Sequence, residues 1–177
     1  MSSSTVWYGY SDGSASLNPH FGGWAFVVTP DAPSDSWDPK WIISHGRGGA
    51  RGMKLGEAEI SPLMYGLEHL EMVFASGDVR PGSISWMVDS EYVAMVWSGA
   101  YKPKEYRELW ARIRKGADNL SSLGIEFDVV HQRRNRFPGQ IWVDEYAGKG
   151  RKIVIDRGAD FADLTYRILR EEPIRKS

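Results

Sequence analysis

Residues 7–14 read WYGYSDGS and contain the feature that decides the fold, a sheet-forming aromatic run followed by a carboxylate. Trp and Tyr favour β-structure, so residues 5–10 are predicted to form a buried strand. Asp12 then comes where this strand is expected to end. A buried carboxylate is tolerated only beside water, a cation or hydrogen-bond donors, so the surroundings of Asp12 must supply one of these.

The composition indicates one globular domain. The chain has 177 residues, of which 42% are hydrophobic and 25% charged, and a chain of this length is expected to form one core. Its apolar runs are shorter than the roughly 18 residues that a membrane helix needs. The start, Met-Ser-Ser-Ser-Thr, lacks the pattern of a secretory signal. We therefore expect a cytoplasmic monomer with no membrane partner.

Cysteine content and charge limit the possible chemistry. The chain has no cysteine, so any metal must be held by oxygen or imidazole ligands. The net charge is −1, yet the basic residues occur in groups, and a near-neutral total can conceal a basic face. Solvated loops and helix faces are the alternative interpretation. The groups are Arg47, Arg51 and Lys54; Lys102, Lys104 and Arg107; Arg112, Arg114 and Lys115; Arg133, Arg134 and Arg136; and Lys149, Arg151 and Lys152.

Hydrophobic periodicity predicts three strands, a helix, a strand, two helices, a strand and a short helix. The expected strands cover residues 5–10, 22–29, 41–44, 84–88 and 125–130. One long helix is expected to begin near residue 59, and further helices are expected at 91–97, 103–123 and 141–147. Pro62 is expected in the first turn of the long helix. The glycine-rich stretch 46–56 is predicted to be a mobile connection. Beyond it, residues 152–155 are predicted as a strand, and Leu164, Tyr166, Ile168 and Leu169 as part of a C-terminal helix.

This order predicts an α/β fold in which a five-stranded mixed sheet is flanked by helices on both faces. A right-handed crossover would make the first and fourth strands parallel neighbours. Asp12 and Asp89, which follow these strands, would then be adjacent, with Glu59 and Asp144 near enough to close the cluster. For any one of these acids, simple capping or solvation is the alternative.

Four converging carboxylates would repel one another unless they were protonated or shared cations. Oxygen-only ligation suits Mg²⁺ or Mn²⁺, and two such ions can promote phosphodiester hydrolysis. The acids therefore predict a site for two divalent ions, which would also explain how Asp12 is tolerated.

Four short motifs resemble, in order, those of type 1 ribonuclease H. They are Asp12-Gly13-Ser14 with Asn18-Pro19 and Gly22-Gly23-Trp24; Glu59 with Leu67-Glu68-x-Leu70; Val88-Asp89-Ser90-Glu91-Tyr92-Val93; and Asp144-Glu145-Tyr146-Ala147. The resemblance covers residues 6 to about 148, which gives a catalytic domain at 1–148 and an extension of unknown role at 149–177. It implies a metal-dependent endonuclease that cleaves the RNA strand of RNA–DNA hybrids.

The resemblance also implies roles for individual residues. It assigns Asp12, Glu59, Asp89 and Asp144 as catalytic metal ligands, with Glu59 favoured over Glu57 by spacing. It also places Gly13 and Asn18 at positions that contact RNA. Lys54 and Arg134 are predicted phosphate contacts.

The chain also departs from the family pattern. Lys54-Leu55-Gly56 replaces a polar stretch before the glutamate. Arg134 stands where a mobile histidine is usual, and whether it or His131 takes that role stays open. The basic handle of some relatives is missing.

Two other functions are compatible with the sequence. One is a nuclease of the same fold that acts on another nucleic acid, and the Asp-Gly-Ser and Asn-Pro hairpin favours the hybrid enzyme over it. The other is a non-catalytic binding module, for which a repulsive cluster of acids would have no use.

Overall fold

The structure is a computed structural model, and it describes residues 5–77 and 79–166. The strands are β1 (Val6–Ala15), β2 (Phe21–Thr29), β3 (Ser44–Arg51), β4 (Ser83–Val88), β5 (Glu126–His131) and β6 (Phe161–Tyr166). The helices are α1 (Leu55–Ser76), α2 (Glu91–Ser98), α3 (Arg107–Ser122) and α4 (Pro138–Arg157), with a 3-10 turn at Pro39–Trp41. In the described part of the chain, no helix is both long and apolar enough to cross a membrane.

The strands form one mixed sheet in the order β5-β4-β1-β2-β3-β6. β4 runs parallel to both β1 and β5, while β1, β2, β3 and β6 are joined by antiparallel pairing. The parallel pairing of the first and fourth strands was predicted correctly. The expectation of five strands was wrong, because β6 adds a sixth strand against the edge of β3.

Side chains of β2 alternate between two hydrophobic clusters, because successive residues of a strand point to opposite faces of the sheet. Trp24 and Phe26 pack with apolar residues of α1 and α3. Ala25 and Val27 pack instead with Val143 and Ala147 of α4. The larger cluster therefore lies on the α1 side of the sheet and the smaller one on the α4 side.

The third strand was predicted in the wrong place. Residues 39–41 form the 3-10 turn, and β3 runs through the glycine-rich stretch that we expected to be a mobile connection. Its glycines are needed for packing, since a Cβ at Gly46 would lie 2.6 Å from Phe26 and one at Gly48 would lie 2.3 Å from Trp24. The bulk that this part of the sheet lacks in β3 is thus supplied by the aromatic rings of β2.

The first helix begins one turn earlier than predicted. α1 starts at Leu55, and Pro62 lies inside it rather than in its first turn. A proline inside a helix removes one backbone hydrogen bond, here the one to the carbonyl of Ala58. Because of this cost, the sequence predicted a helix that begins later, with Pro62 in its first turn. Packing outweighs the cost, since Ala58, Pro62 and Leu63 are all buried.

The fourth helix is much longer than the predicted segment 141–147. α4 continues to Arg157, so the predicted strand at 152–155 is helical, and the predicted division of the chain at residue 148 falls inside α4. Leu164 and Tyr166, expected in a helix, belong to β6. Ile168 and Leu169 lie outside the described residues.

Glycines let α4 lie directly on the sheet backbone. A Cβ at Gly23 of β2 would stand 2.2 Å from the carbonyl oxygen of Ala147, and a Cβ at Gly150 would stand 2.5 Å from that of Gly48. Both distances are shorter than van der Waals contact allows. The position of α4, and of every side chain on it, therefore depends on these glycines.

We expect Gly150→Ala to destabilise the protein by about 1–3 kcal/mol, because the added methyl group must push α4 away from β3. Gly148→Ala is the matched control on the same helix, since its Cβ would meet nothing within 4 Å. Alanine is favoured over glycine in a helix by up to about 1 kcal/mol, so the control should be neutral or stabilising. Urea unfolding of both variants checks this, and equal stability would contradict the packing argument.

Candidate active site

Asp12 lies on the α4 side of the sheet, at a point where two neighbouring strands diverge. β1 runs on to Ala15, so Asp12 is inside the strand and not at its end as predicted. Its backbone pairs with β2, but the pairing of β1 with β4 stops at Tyr10. A cleft thus opens beside Asp12 at the carboxyl end of β4, as expected for a ligand site in an α/β sheet.

Asp89 follows β4 directly and lies next to this cleft. Ser90 behind it caps α2, its hydroxyl accepting a hydrogen bond from the backbone N–H of Val93 at 3.2 Å. On the other side of the sheet, the indole of Trp86 donates to the hydroxyl of Ser11 at 2.8 Å. These two bonds fix the ends of β4 and β1, and with them the backbones that carry Asp89 and Asp12.

The other two acids reach the cleft from the two long helices. Asp144 is in the second turn of α4 and hydrogen-bonds to Asp12, while Glu59 is in the second turn of α1 and lies within electrostatic range of Asp89. α1 approaches so closely because Gly13 has no side chain: a Cβ there would stand 2.4 Å from the backbone of Ala58. The structure thus brings all four predicted acids to one place.

Three of the four acids, Asp12, Glu59 and Asp89, have raised pKa values. Burial, the charge of Asp89 and the hydrogen bond with Asp144 raise the pKa of Asp12 to about 8. Burial raises the pKa of Asp89 and of Glu59 as well, and the charge of Asp89 adds to the effect on Glu59. Asp12 is only 9% exposed, so water screens this repulsion poorly.

Arg134 supplies one positive charge to this cluster. Its guanidinium donates to Oδ1 of Asp144 at 3.0 Å, and its charge lowers the pKa of Asp89 against the larger effect of burial. The pair is open to solvent, with the Arg134 side chain 70% exposed. Exposed ion pairs of this kind contribute little to stability, so the guanidinium can leave Asp144 at low cost.

The remaining predicted residues lie around the cluster rather than in it. Asn18 is exposed in the hairpin between β1 and β2, and Lys54 is exposed at the N-cap of α1. Glu57 lines a separate pocket beside Tyr106, to which none of the four clustered acids contributes. His131, at the end of β5, lies within electrostatic range of Asp89. Gly13 serves packing by admitting α1.

Gln140 is a residue of the cleft that the sequence did not predict. It is 5% exposed and lines a small cavity together with Asp12 and Asp89. Its Oε1 accepts a hydrogen bond from the backbone N–H of Phe137 at 3.0 Å. Among the described residues its Nε2 has no hydrogen-bond partner, so a buried donor remains available to a ligand.

A correct helix start would have revealed Gln140. It precedes Asp144 by four residues, so the two share one side of a helix that includes both. The predicted helix began at residue 141, one residue too late. Asn135, which also lines the cavity, has the positive φ of 54° that asparagine tolerates in a tight turn.

The donor set of the cluster suits a hard divalent ion by its chemistry, because it offers carboxylate oxygens whose mutual repulsion a cation would relieve. Its arrangement does not by itself define such a site. Within residues 5–77 and 79–166, no group of three or more His, Asp or Glu side chains is positioned to hold a metal ion.

Comparison with solved structures assigns the fold. LC11-RNase H1, isolated from compost by a metagenomic approach, superimposes with a TM-score of 0.67 at 23% identity, covering 84% of this chain and 99% of its own. The N-terminal RNase H domain of a Mycobacterium tuberculosis protein gives 0.63 at 19% identity, with 88% and 100% coverage. This chain has the ribonuclease H fold.

A third similar structure with the ribonuclease H fold is RNase H1 from the halophilic archaeon Halobacterium salinarum, with a TM-score of 0.59, 20% identity and coverage of 82% and 96%. LC11-RNase H1 was solved in complex with an RNA/DNA hybrid. No protein-family model matches the chain, and no curated protein sequence matches it either. Structural comparison thus recognises the fold at identities of 19–23%.

We expect Asp12→Asn to stabilise the protein when metal is absent. Because the pKa of Asp12 is raised in the folded state, wild-type stability falls as the pH rises from about 4 to about 8, while the variant avoids this loss. At about 1.4 kcal/mol per pKa unit, the difference at pH 8 should be at least about 1.4 kcal/mol.

Urea unfolding in EDTA at pH 4, 6 and 8 measures this difference. Asp118→Asn is the control, because Asp118 is an exposed residue of α3 far from the cluster. Its effect should stay within about 0.5 kcal/mol at every pH. A pH-independent effect of Asp12→Asn would contradict the repulsion argument.

Proposed function

We propose that the protein is a metal-dependent endonuclease that hydrolyses the RNA strand of RNA–DNA hybrids. The observation that carries this proposal is the convergence of Asp12, Glu59, Asp89 and Asp144 on one cleft of a ribonuclease H fold. The cost of burying repelling acids is difficult to explain in a protein that only binds a partner. The hybrid bound to the similar LC11-RNase H1 supports the choice of substrate.

The four acids would hold Mg²⁺ or Mn²⁺, and two ions are proposed. When bound, such ions supply the chemistry of phosphodiester hydrolysis, namely activation of a water molecule and stabilisation of the leaving oxygen. For Asp144 to take part, Arg134 must release it. The exposed guanidinium is then free to contact a phosphate of the substrate, as the sequence predicted.

Other residues of the chain can position the substrate. The buried Nε2 of Gln140 can donate to an oxygen at the base of the cleft. Lys54, exposed at the start of α1, can contact a phosphate without reading base sequence. Asn18, at the exposed hairpin, offers both a donor and an acceptor to a 2′-hydroxyl.

Tyr101 adds an exposed aromatic surface beside α2. Tyr101 is 50% exposed, and its ring lies 6.1 Å from the ring of Tyr92, which is 45% exposed. This tyrosine pair follows Asp89 closely in the chain. We propose that it packs against the substrate strand that is not cleaved.

Asp89→Asn should reduce cleavage of a labelled RNA–DNA hybrid in Mg²⁺ by at least about 100-fold while the protein stays folded. EDTA should abolish wild-type cleavage, and added Mg²⁺ or Mn²⁺ should restore it. Asp118→Asn is the matched control and should cleave normally. RNA–RNA and DNA–DNA duplexes of the same sequence test the alternative nuclease. Undiminished cleavage by Asp89→Asn, or none by the wild type, would refute the proposal.

Gln140→Met tests the donor of Gln140 without adding a charge beside Asp12 and Asp89, because it removes Nε2 and the oxygen that accepts from Phe137 but keeps a similar side-chain length. If the donor serves catalysis, the variant should cleave hybrid at least about 10-fold more slowly than wild type at a temperature at which both are folded. Thermal unfolding measures the stability that is lost with the cap. Cleavage at the wild-type rate by the folded variant would contradict a role for the donor.

A further inference from the structure

A second groove, of about 740 Å³, lies between α4 and the paired strands β3 and β6. α4 contributes Trp142, Tyr146 and Lys149, which recur at intervals of four and three residues and therefore share one side of the helix. β3 contributes His45 and Arg47. The far wall comes from β6, with Ala162, Asp163, Leu164 and Thr165. We call this the α4 groove.

The α4 groove is separate from the acidic cleft but close to it. Arg47 pairs with Ala25, which pairs with Asp12, so all three lie in one row across the sheet and on the same face. Two strand spacings, about 10 Å, separate Arg47 from Asp12. Asp144 lies between Trp142 and Tyr146 in sequence and so points to the opposite side of α4. Asp144 therefore lies on one side of α4, and the residues that line the groove lie on the other side.

Two stacked aromatic rings form the floor of the α4 groove. The ring centroids of Trp142 and Tyr146 are 4.0 Å apart and the rings are nearly parallel, at 23°. His45 contacts Trp142 edge-on with centroids 5.6 Å apart, which fixes the indole orientation. Both stacked rings are half-buried, so part of each aromatic surface is open to the groove. A flat, partly exposed ring of this kind can stack on a nucleobase of any sequence.

Two cations flank this floor. The guanidinium of Arg47 is 5.6 Å from the centroid of the Tyr146 ring, and Nζ of Lys149 is 4.8 Å from it. Lys149 also pairs with Glu145 at 3.0 Å, but both side chains are at least half exposed, so a phosphate can displace this weak interaction. Asp163 lies opposite Arg47 in the sheet pairing. Among the residues that the structure describes, it is the one carboxylate that lines the groove, and it offsets one of the two positive charges.

We propose that the α4 groove binds a single-stranded segment of nucleic acid, with a base stacked on Trp142 and the adjoining phosphate held by Arg47 and Lys149. Aromatic rings next to cations match a base joined to a phosphate, whereas an acidic peptide would leave the stacked rings without a partner. The choice of nucleic acid rests on the proposed function. Binding in the groove itself requires neither metal nor cleavage.

Binding of a labelled single-stranded DNA of about 12 nucleotides, followed by fluorescence anisotropy in EDTA, tests the proposal. Trp142→Leu should weaken binding at least about 5-fold, the effect of losing one stacked base, while Trp142→Phe should retain most of the affinity. Asp163→Asn should tighten binding, because it removes the carboxylate that opposes the phosphate. Circular dichroism and thermal unfolding establish that each variant is folded.

Salt dependence distinguishes a phosphate contact from a loss of packing. Lys149→Ala should lower the slope of log K against log salt concentration by about 0.7, the value for one phosphate contact on a single strand. Lys152→Ala is the matched control, since Lys152 is exposed on the same helix outside the groove. It should leave the slope unchanged. Equal slopes for the two variants would overturn the assignment of Lys149.

Cleavage of a blunt-ended hybrid without overhangs separates this proposal from the proposed function. If single-stranded DNA binds the Trp142→Leu and wild-type proteins equally well while hybrid is still cleaved, the α4 groove proposal is wrong and the nuclease proposal stands. If the wild type cleaves no hybrid but its DNA binding depends on Trp142 and Lys149, the groove proposal stands alone. A free mononucleotide that competes as well as the oligonucleotide would overturn the assignment to a strand.

Discussion

The site depends on how closely two helices approach the sheet from its opposite sides. α1 lies against β1 at Gly13, and α4 lies against β2 at Gly23, with backbone contacts that any side chain would prevent. These contacts bring Glu59 of α1 and Asp144 of α4 to Asp12, which is otherwise an isolated acid on a strand. Gly13 and Gly23 of the first motif are therefore as important to the cluster as the acids themselves.

This close approach has an electrostatic consequence. Burial and mutual repulsion raise the pKa of Asp12, Asp89 and Glu59, so each favours protonation in a cleft that offers little water. Among the described residues, Arg134 is the one arginine that contacts the four acids. It is held only by an exposed ion pair with Asp144. The fold thus holds together carboxyl groups whose repulsion is relieved by protonation or by a bound cation. That property links the architecture to the proposed chemistry.

Sequence patterns failed where packing outweighed local preference. Gly46 and Gly48 favour a flexible connection by their conformational freedom, yet Phe26 and Trp24 fill the space above them and make a strand of the segment. Pro62 favours a helix start, yet the helix passes through it because its neighbours are buried. Gln140 was missed for a related reason, since the start of α4 has little hydrophobic periodicity. For β3 and α1 the deciding contacts come from residues distant in sequence, which no local window contains.

The sequence by itself predicted which acidic residues come together. Asp12, Glu59, Asp89 and Asp144 could be named from strand and helix patterns and motif order, because the parallel placement of β1 and β4 follows from a single crossover rule. Only the tertiary structure decided their environment. It set the burial that raises the pKa of Asp12, Glu59 and Asp89, the contact of Arg134 with Asp144, and the buried Nε2 of Gln140, which has no partner in the described part of the chain. It also decided the sixth strand and the α4 groove beside it. These properties depend on three-dimensional distances between segments far apart in the chain. The four acids could be predicted without those distances, because their positions relative to the strands, helices and motifs can be read from the sequence.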